Sequence, residues 1–157
     1  MPPTVVLRDV TADDLPTLFE HQDDSVLRSM SVIPHWPREE FLARWAKHLT
    51  DGASCKQAIW ADEQLVGVIV SFERNGLREV GYVLGREHWG KGIGSVALRQ
   101  FLRYEPARPL TAVVSKHNLA SLQLAQKCGF EITGEKSETE ESGEESRAFV
   151  LTLSAPA

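Results

Sequence analysis

Hydrophobic and polar residues alternate with a period of two in the middle of the chain, as they do in half-buried strands. Three such segments, 55–61, 65–73 and 78–84, are separated by Asp62-Glu63 and by Asn75-Gly76. An Asn-Gly pair between two alternating segments is a strong hairpin signal. The pattern therefore predicts three consecutive antiparallel strands.

The pattern has a helical period on the amino-terminal side of these strands. Residues 4–10 predict a short strand, after which Thr11 can cap a helix with Asp14 three positions later. Residues 38–49 predict a second helix, because glutamates occupy its first turn and apolar residues recur on one side. Gly52 lies where this helix is expected to stop.

The second half of the chain predicts a helix, a strand, a helix and a closing hairpin. Their positions are a start near Ile93, then 109–114, 119–128 and the pair 130–135 and 147–153. Asn118 is placed to cap the second of these helices, and Gly129 to end it. No repeat or linker interrupts the order, so we expect one mixed α+β domain over residues 1–157.

Composition narrows the class of protein. The 157 residues are 42% hydrophobic and 25% charged, and no run approaches 18 apolar residues, so we expect neither a membrane span nor a membrane partner. The amino terminus lacks a signal-peptide pattern, and the two cysteines have no redox or metal spacing, which favours the cytoplasm. The five histidines also lack metal-ligand spacing, so no metal is expected.

Charge is unevenly distributed. Residues 131–145 hold seven glutamates and one lysine, a charge of −6, so the rest of the chain carries +1 of the total −5. No broad basic face indicates nucleic-acid binding. The acidic hairpin over 135–146 is either a solvated tip or an attractant for a cationic substrate, and the sequence leaves its role open.

A glycine-rich loop, "GREHWGKGIGS" over residues 85–95, follows the third strand of the meander. It matches the opening of a nucleoside-triphosphate loop, but Gly92 replaces the Ser or Thr that would hold magnesium. It also matches a dinucleotide fingerprint, without the βαβ context or the acidic ribose contact. Both patterns place glycines at the start of a helix, where unpaired backbone amides attract an anion. A pyrophosphate is the expected ligand.

Two longer segments, "EVGYVLGREHWGKGIGSVALRQFL" (79–102) and "NLASLQLAQKCGF" (118–130), resemble the GNAT superfamily of acyl-CoA-dependent N-acetyltransferases. The family's phosphate motif is matched by residues 89–94 except at its first place, where Trp89 replaces Gln or Arg. The Trp-Gly-Lys-Gly form is similar to the branch of ribosomal-protein N-terminal acetyltransferases. The resemblance implies a single-layer, mostly antiparallel sheet of about seven strands flanked by about four helices.

The resemblance also implies a cofactor site for acetyl-CoA. Its pyrophosphate is expected on residues 89–95, called the phosphate loop below, and its pantetheine arm against the backbone of Val83 and Leu84. Asn118 is expected to face the arm and Ser121 the sulfur. The loop residues implied in binding are Trp89, Gly90, Lys91, Gly92, Ile93, Gly94 and Ser95.

Acetyl transfer to an amine needs a proton acceptor, because alkylamines are mostly protonated near neutral pH, and a donor for the leaving sulfur. Glu79 is the candidate base, with a strand-surface charge as the alternative. Many relatives use a tyrosine as the acid, but Ala125 stands at that place, so Ser121 is the candidate substitute. Tyr82 is expected to serve in packing rather than as an acid.

His35 and Trp36 are candidates for the acceptor pocket, with a structural loop anchor as the alternative.

Three functions stay open on the sequence alone. The leading one is an acetyl-CoA-dependent N-acetyltransferase that acts by direct attack on a primary amine, either a protein N-terminus or a small amine such as a polyamine or antibiotic. The second is a non-catalytic acyl-CoA-sensing module, and the third a nucleotide-binding protein. A homodimer is expected only by analogy with similar proteins.

Overall fold

The computed structural model describes residues 3–25, 36–139 and 145–154. Within these ranges seven strands and four α-helices form the predicted α+β fold. They are β1 (Val5–Asp9), α1 (Leu15–Gln22), α2 (Arg38–Thr50), β2 (Cys55–Ala61), β3 (Gln64–Arg74), β4 (Leu77–Leu84), α3 (Ile93–Tyr104), β5 (Leu110–Ser115), α4 (Leu119–Lys127), β6 (Glu131–Thr139) and β7 (Glu145–Leu153). None of these helices is both long and apolar enough to cross a membrane.

The strands form one sheet in the order β1-β2-β3-β4-β5-β7-β6. Every neighbouring pair is antiparallel except β4 and β5, which run parallel. The predicted single layer of mostly antiparallel strands is therefore confirmed. The closing hairpin is longer than predicted, since β6 continues to Thr139 and β7 starts at Glu145.

Local signals placed the turns correctly. Asn75 and Gly76 have φ values of 53° and 80°, and Asp62 and Glu63 have 48° and 65°. Paired left-handed residues match the twist of the flanking strands, as two-residue hairpins require. Thr11 does begin a helical segment, but its first turn, Ala12–Asp14, is a 3₁₀ turn that leads into α1.

The sheet separates two apolar layers. One face of β4 contributes Val80 and Tyr82 to the layer beneath α3 and α4, where Phe101 is fully buried. The opposite face contributes Val83 to the layer beneath α1 and α2, which includes Phe41. The alternation predicted for this strand is confirmed, and Glu79 shares the face of Val83.

A buried polar network fixes the start of β4. Glu105, at the end of α3, is 5% exposed and accepts hydrogen bonds from Ser71 Oγ at 2.5 Å and Arg78 Nε at 2.6 Å. Burial opposes ionisation of Glu105, but these bonds outweigh it and hold its pKa below the ordinary value. The network holds the start of β4 between β3 and the end of α3.

Candidate active site

β4 and β5 separate after only three residue pairs. The pairs are Arg78–Leu110, Glu79–Thr111 and Val80–Ala112, whereas β4 pairs with β3 along its whole length. The last four residues of β4 therefore have no strand partner on the β5 side. A wedge-shaped cleft opens there, and its volume is about 1090 Å³.

Backbone alternation decides which groups of β4 face this cleft. Gly85 N donates to Val66 O on β3 at 2.9 Å, so Gly85 forms a hydrogen-bonded pair with that strand. Val83, two residues earlier, then also points to β3, while the backbones of Leu84 and Tyr82 point to the cleft. Of the two residues predicted to pair with pantetheine, only Leu84 turns its backbone towards the space where a pantetheine would lie.

The phosphate loop lies at the mouth of the cleft. Gly90 and Gly92 adopt left-handed φ values of 76° and 78°, and a methyl group added at either would meet nothing within 4 Å. Val96 N makes the first i→i−4 bond of α3, to Gly92 O at 3.4 Å. The amides of Ile93, Gly94 and Ser95 precede that bond, so the helix supplies them with no acceptor. This arrangement can bind an anion.

Trp89 has a structural role that its place in the phosphate motif did not reveal. Its indole Nε1 donates to Leu84 O at 2.8 Å, so the ring ties the phosphate loop to the end of β4. The Leu84 carbonyl therefore accepts a hydrogen bond from Trp89, while the Leu84 amide points into the cleft. Lys91 is exposed and, unlike its neighbours Gly90 and Gly92, does not line the cleft.

The amino end of α3 packs against the second half of α4 beside the cleft. Gly94 makes this possible, because a Cβ there would overlap Leu124 Cδ1. Asn118 caps α4, since its Oδ1 accepts a hydrogen bond from Ser121 N at 3.1 Å. The cap holds the first turn of α4 at the cleft edge, and both Asn118 and Ser121 line the cleft.

Ser121 has a partner that the sequence did not indicate. The hydroxyl groups of Ser121 and Tyr82 lie 2.8 Å apart, and Tyr82 Oη also contacts Ser121 O at 3.2 Å. Burial raises the pKa of Tyr82 to about 12, against the opposing effect of the Ser121 hydrogen bond. Tyr82 therefore stays protonated at neutral pH. No sequence signal pairs these two residues, because they are 39 positions apart.

Glu79 lines the same cleft from the other face of the sheet. Its side chain is 14% exposed, and Arg74 Nε lies 3.9 Å from Glu79 Oε1, at the limit of an ion pair. Two carboxylate oxygens with one distant cation leave capacity for a further hydrogen-bond donor. The carboxylate and the Ser121–Tyr82 pair therefore approach the cleft from opposite faces.

Aromatic residues form the wall on the Glu79 side. Trp36 lines the cleft and lies under Arg44, whose guanidinium carbon is 4.2 Å from the ring centroid. Trp45 and His48 of α2 also line it, and their rings meet edge to face at 5.6 Å. Trp45 is one of the apolar residues that recur on one side of α2, and that periodicity did not show that it borders a cleft. His35, the other predicted acceptor residue, lies outside the described residues.

The acidic hairpin is linked to the cleft by one ion pair. Lys116 Nζ lies 2.6 Å from Glu135 Oε1, and the next two residues, His117 and Asn118, line the cleft. The hydrogen bond from Lys116 lowers the pKa of Glu135. The start of the hairpin is therefore close to the cleft rim.

Comparison with known proteins identifies the family. Residues 4–131 match the family model described as "Acetyltransferase (GNAT) domain". An uncharacterized N-acetyltransferase, p20, of Bacillus licheniformis is 35% identical over 66 residues, which are 40% of this chain and 37% of that protein. The match thus spans little more than a third of that relative.

Solved structures share the fold at low sequence identity. A GNAT-family acetyltransferase from Bacillus anthracis superposes with a TM-score of 0.82 at 18% identity, covering 98% of this chain and 96% of that one. Spermidine N-acetyltransferase from Vibrio cholerae, solved with CoA and spermine, gives 0.79 at 19% identity over 95% of each chain. Because the family model matches residues 4–131, which are most of this chain, the chain belongs to the GNAT acetyltransferase family.

Proposed function

We propose that this protein transfers the acetyl group of acetyl-CoA to a primary amine by direct attack. The observation that carries the proposal is the cleft between β4 and β5, which has an anion-binding helix start at its mouth. On this proposal the pyrophosphate lies on the amides of Ile93, Gly94 and Ser95. The pantetheine arm takes the place of a strand beside β4, with the Leu84 amide as a donor to it.

Glu79 is proposed as the base. An acceptor amine arrives mostly as an ammonium ion and must lose a proton before it attacks. The Glu79 side chain is 14% exposed and borders the cleft, and the cation paired with it among the described residues, Arg74, is 3.9 Å away. It takes the proton directly or through one water, and the neutral nitrogen attacks the thioester carbonyl carbon. The carbon–sulfur bond then breaks, and the electron pair goes to sulfur. The nitrogen loses its second proton, which the thiolate takes up, so the products are the amide and the free thiol of CoA.

The Ser121–Tyr82 pair is proposed to stabilise that sulfur. Ser121 Oγ is at the cleft, and Tyr82, protonated at neutral pH, lies behind it at 2.8 Å. When Tyr82 donates to Ser121, the serine hydroxyl hydrogen is directed towards the leaving thiolate. This pair stands in for the tyrosine that Ala125 replaces.

The acceptor is proposed to be a cationic amine. Glu79 and the ring of Trp45 line the cleft, and both can attract a positively charged group. One face of Trp36 is already covered by Arg44. Protein N-termini and polyamines both satisfy this requirement, and the Vibrio cholerae relative is a spermidine N-acetyltransferase.

Thiol release from acetyl-CoA over a panel of N-terminal peptides, polyamines and amino-acid amines tests the proposal. We expect turnover with one class, and a rate loss of about 10²- to 10⁴-fold in Glu79→Gln. Glu131→Gln is the matched control, because Glu131 is exposed on β6 and does not line the cleft.

The outcomes separate the alternatives. Binding of CoA without turnover of any amine would make the chain a CoA-sensing module, and absence of CoA binding would overturn the cofactor site. Equal rates in Glu79→Gln and Glu131→Gln would remove Glu79 as the base.

A further inference from the structure

Two histidines and a glutamate that the sequence separates lie together beside the phosphate loop. His21 is in the last turn of α1, while Glu87 and His88 belong to the short 3₁₀ turn Arg86–His88 after β4. Each offers one ligand atom, and the three atoms lie within 4.8 Å of one another. We refer to these three residues as the His21 cluster.

The imidazoles of the cluster have unsatisfied nitrogens. His88 is 7% exposed, and its Nε2 has no hydrogen-bond partner among the described residues, although Glu87 Oε1 lies 3.4 Å away. His21 Nδ1 is also buried without a partner in the part of the chain that the structure describes. A buried polar atom left unpaired costs about 1–3 kcal/mol, and each such atom in a native structure requires an explanation. Two of them in nearly perpendicular rings, with centroids 6.3 Å apart, point to a shared ligand.

The side chains of the cluster are of types that bind a metal ion. A neutral imidazole with a free ring nitrogen is a common metal ligand in proteins. Glu87 adds a carboxylate whose side chain is 73% exposed, so it is free to turn towards an ion.

The surrounding structure holds the two segments in place. A Cβ at Gly85 would stand 2.8 Å from His21 Cδ2, so a glycine at this position lets the His21 ring approach the chain. Arg86 Nε lies 3.2 Å from Asp24 Oδ2, which joins the same two segments a second time. The cluster is therefore held from both sides.

We propose that the His21 cluster binds one divalent first-row transition-metal ion, with Zn²⁺ as the best match. Two imidazoles and one carboxylate suit zinc, cobalt and nickel rather than magnesium or calcium, which prefer oxygen ligands. Zinc needs its ligands at about 2.0–2.2 Å, and the exposed Glu87 side chain can turn towards an ion held by the two imidazoles. The ion would tie α1 to the residue before Trp89, and so to the phosphate loop.

Metal binding to tag-free, chelator-treated protein tests the proposal. Zn²⁺ is titrated against a chromophoric chelator, and Co²⁺ is followed by its visible absorption. We expect one ion per chain, a higher unfolding temperature with Zn²⁺ than without it, and no such effect of Mg²⁺. Zn²⁺ affinity should fall at least about 10-fold in Glu87→Gln and in His21→Gln. His117→Gln is the control, because His117 is exposed and lies outside the cluster.

Two results would overturn the site. One is the absence of one-to-one Zn²⁺ binding, and the other is equal Zn²⁺ affinity in wild type, Glu87→Gln and His21→Gln. Glu87 is exposed, so its variant keeps the test decisive if replacement of His21 prevents folding. All these readouts are independent of acetyl transfer, so they stand whether or not the proposed activity is found.

Discussion

Replacing Gly92 by alanine tests whether the backbone of the phosphate loop holds the cofactor. Gly92 has a φ of 78°, and an added Cβ would meet nothing within 4 Å. The cost of the substitution is therefore conformational, at about 1–2 kcal/mol for a non-glycine residue in the left-handed region. The loop either bears that strain or relaxes, and relaxation turns the amides at the start of α3 away from the anion.

The size of the effect on binding follows from those amides. A hydrogen bond to a charged group contributes about 1.5–3 kcal/mol. Loss of one such bond to the pyrophosphate weakens CoA binding by about 10- to 100-fold. We expect this loss in Gly92→Ala, measured by isothermal titration calorimetry with CoA, together with a fall in the free energy of unfolding measured in urea.

Gly76→Ala is the matched control. Gly76 has a φ of 80°, and an added Cβ would likewise meet nothing within 4 Å, but the residue lies in the β3–β4 turn. It should lose a similar free energy of unfolding and bind CoA as wild type does. The reasoning is refuted if Gly92→Ala keeps wild-type CoA affinity, or if both variants lose affinity equally.

Three further predictions concern the framework of the site. In Tyr104→Phe, Tyr82 is the sole tyrosine, and absorbance at 295 nm should show that it ionises near pH 12. Because the pKa of Tyr82 is raised in the folded state, its contribution to the free energy of unfolding is present below the unfolded pKa of about 10 and is lost as the pH rises to 12. Ionisation near pH 10 would contradict the burial argument. Glu105→Gln should lower the free energy of unfolding by about 2–3 kcal/mol at neutral pH. Because the pKa of Glu105 is lowered in the folded state, the difference in stability between wild type and variant should shrink as the pH falls through that pKa. A difference that does not change with pH would count against the ionised network. In Gly67→Ala the new Cβ would overlap a backbone carbonyl of β4, so the free energy of unfolding in urea should fall by about 1–3 kcal/mol. Gly81→Ala has open space and should leave that free energy unchanged. Similar values for both variants would show that β4 shifts to accommodate the Gly67 substitution.

Several features of this protein were settled by residues close together in the chain. The Asn75-Gly76 turn, the Asn118 cap and the glycines of the phosphate loop were all predicted, and the structure has each of them. Such signals work because turn geometry and capping depend on a few adjacent residues. The period of two along β4 also places the side chains of Glu79 and Tyr82 on opposite faces of the sheet.

The site itself depended on contacts between distant segments. The separation of β4 from β5, the pairing of Tyr82 with Ser121 and the meeting of His21 with His88 each join parts of the chain that no spacing rule relates. Metal-ligand spacing in sequence gave no hint of the His21 cluster, because one ligand comes from α1 and two from the turn after β4. The sequence by itself determined the local conformations, including the glycine-rich loop before α3. Only the packing of helices on the two faces of the sheet decided which side chains share the cleft, since that proximity is a property of the folded core.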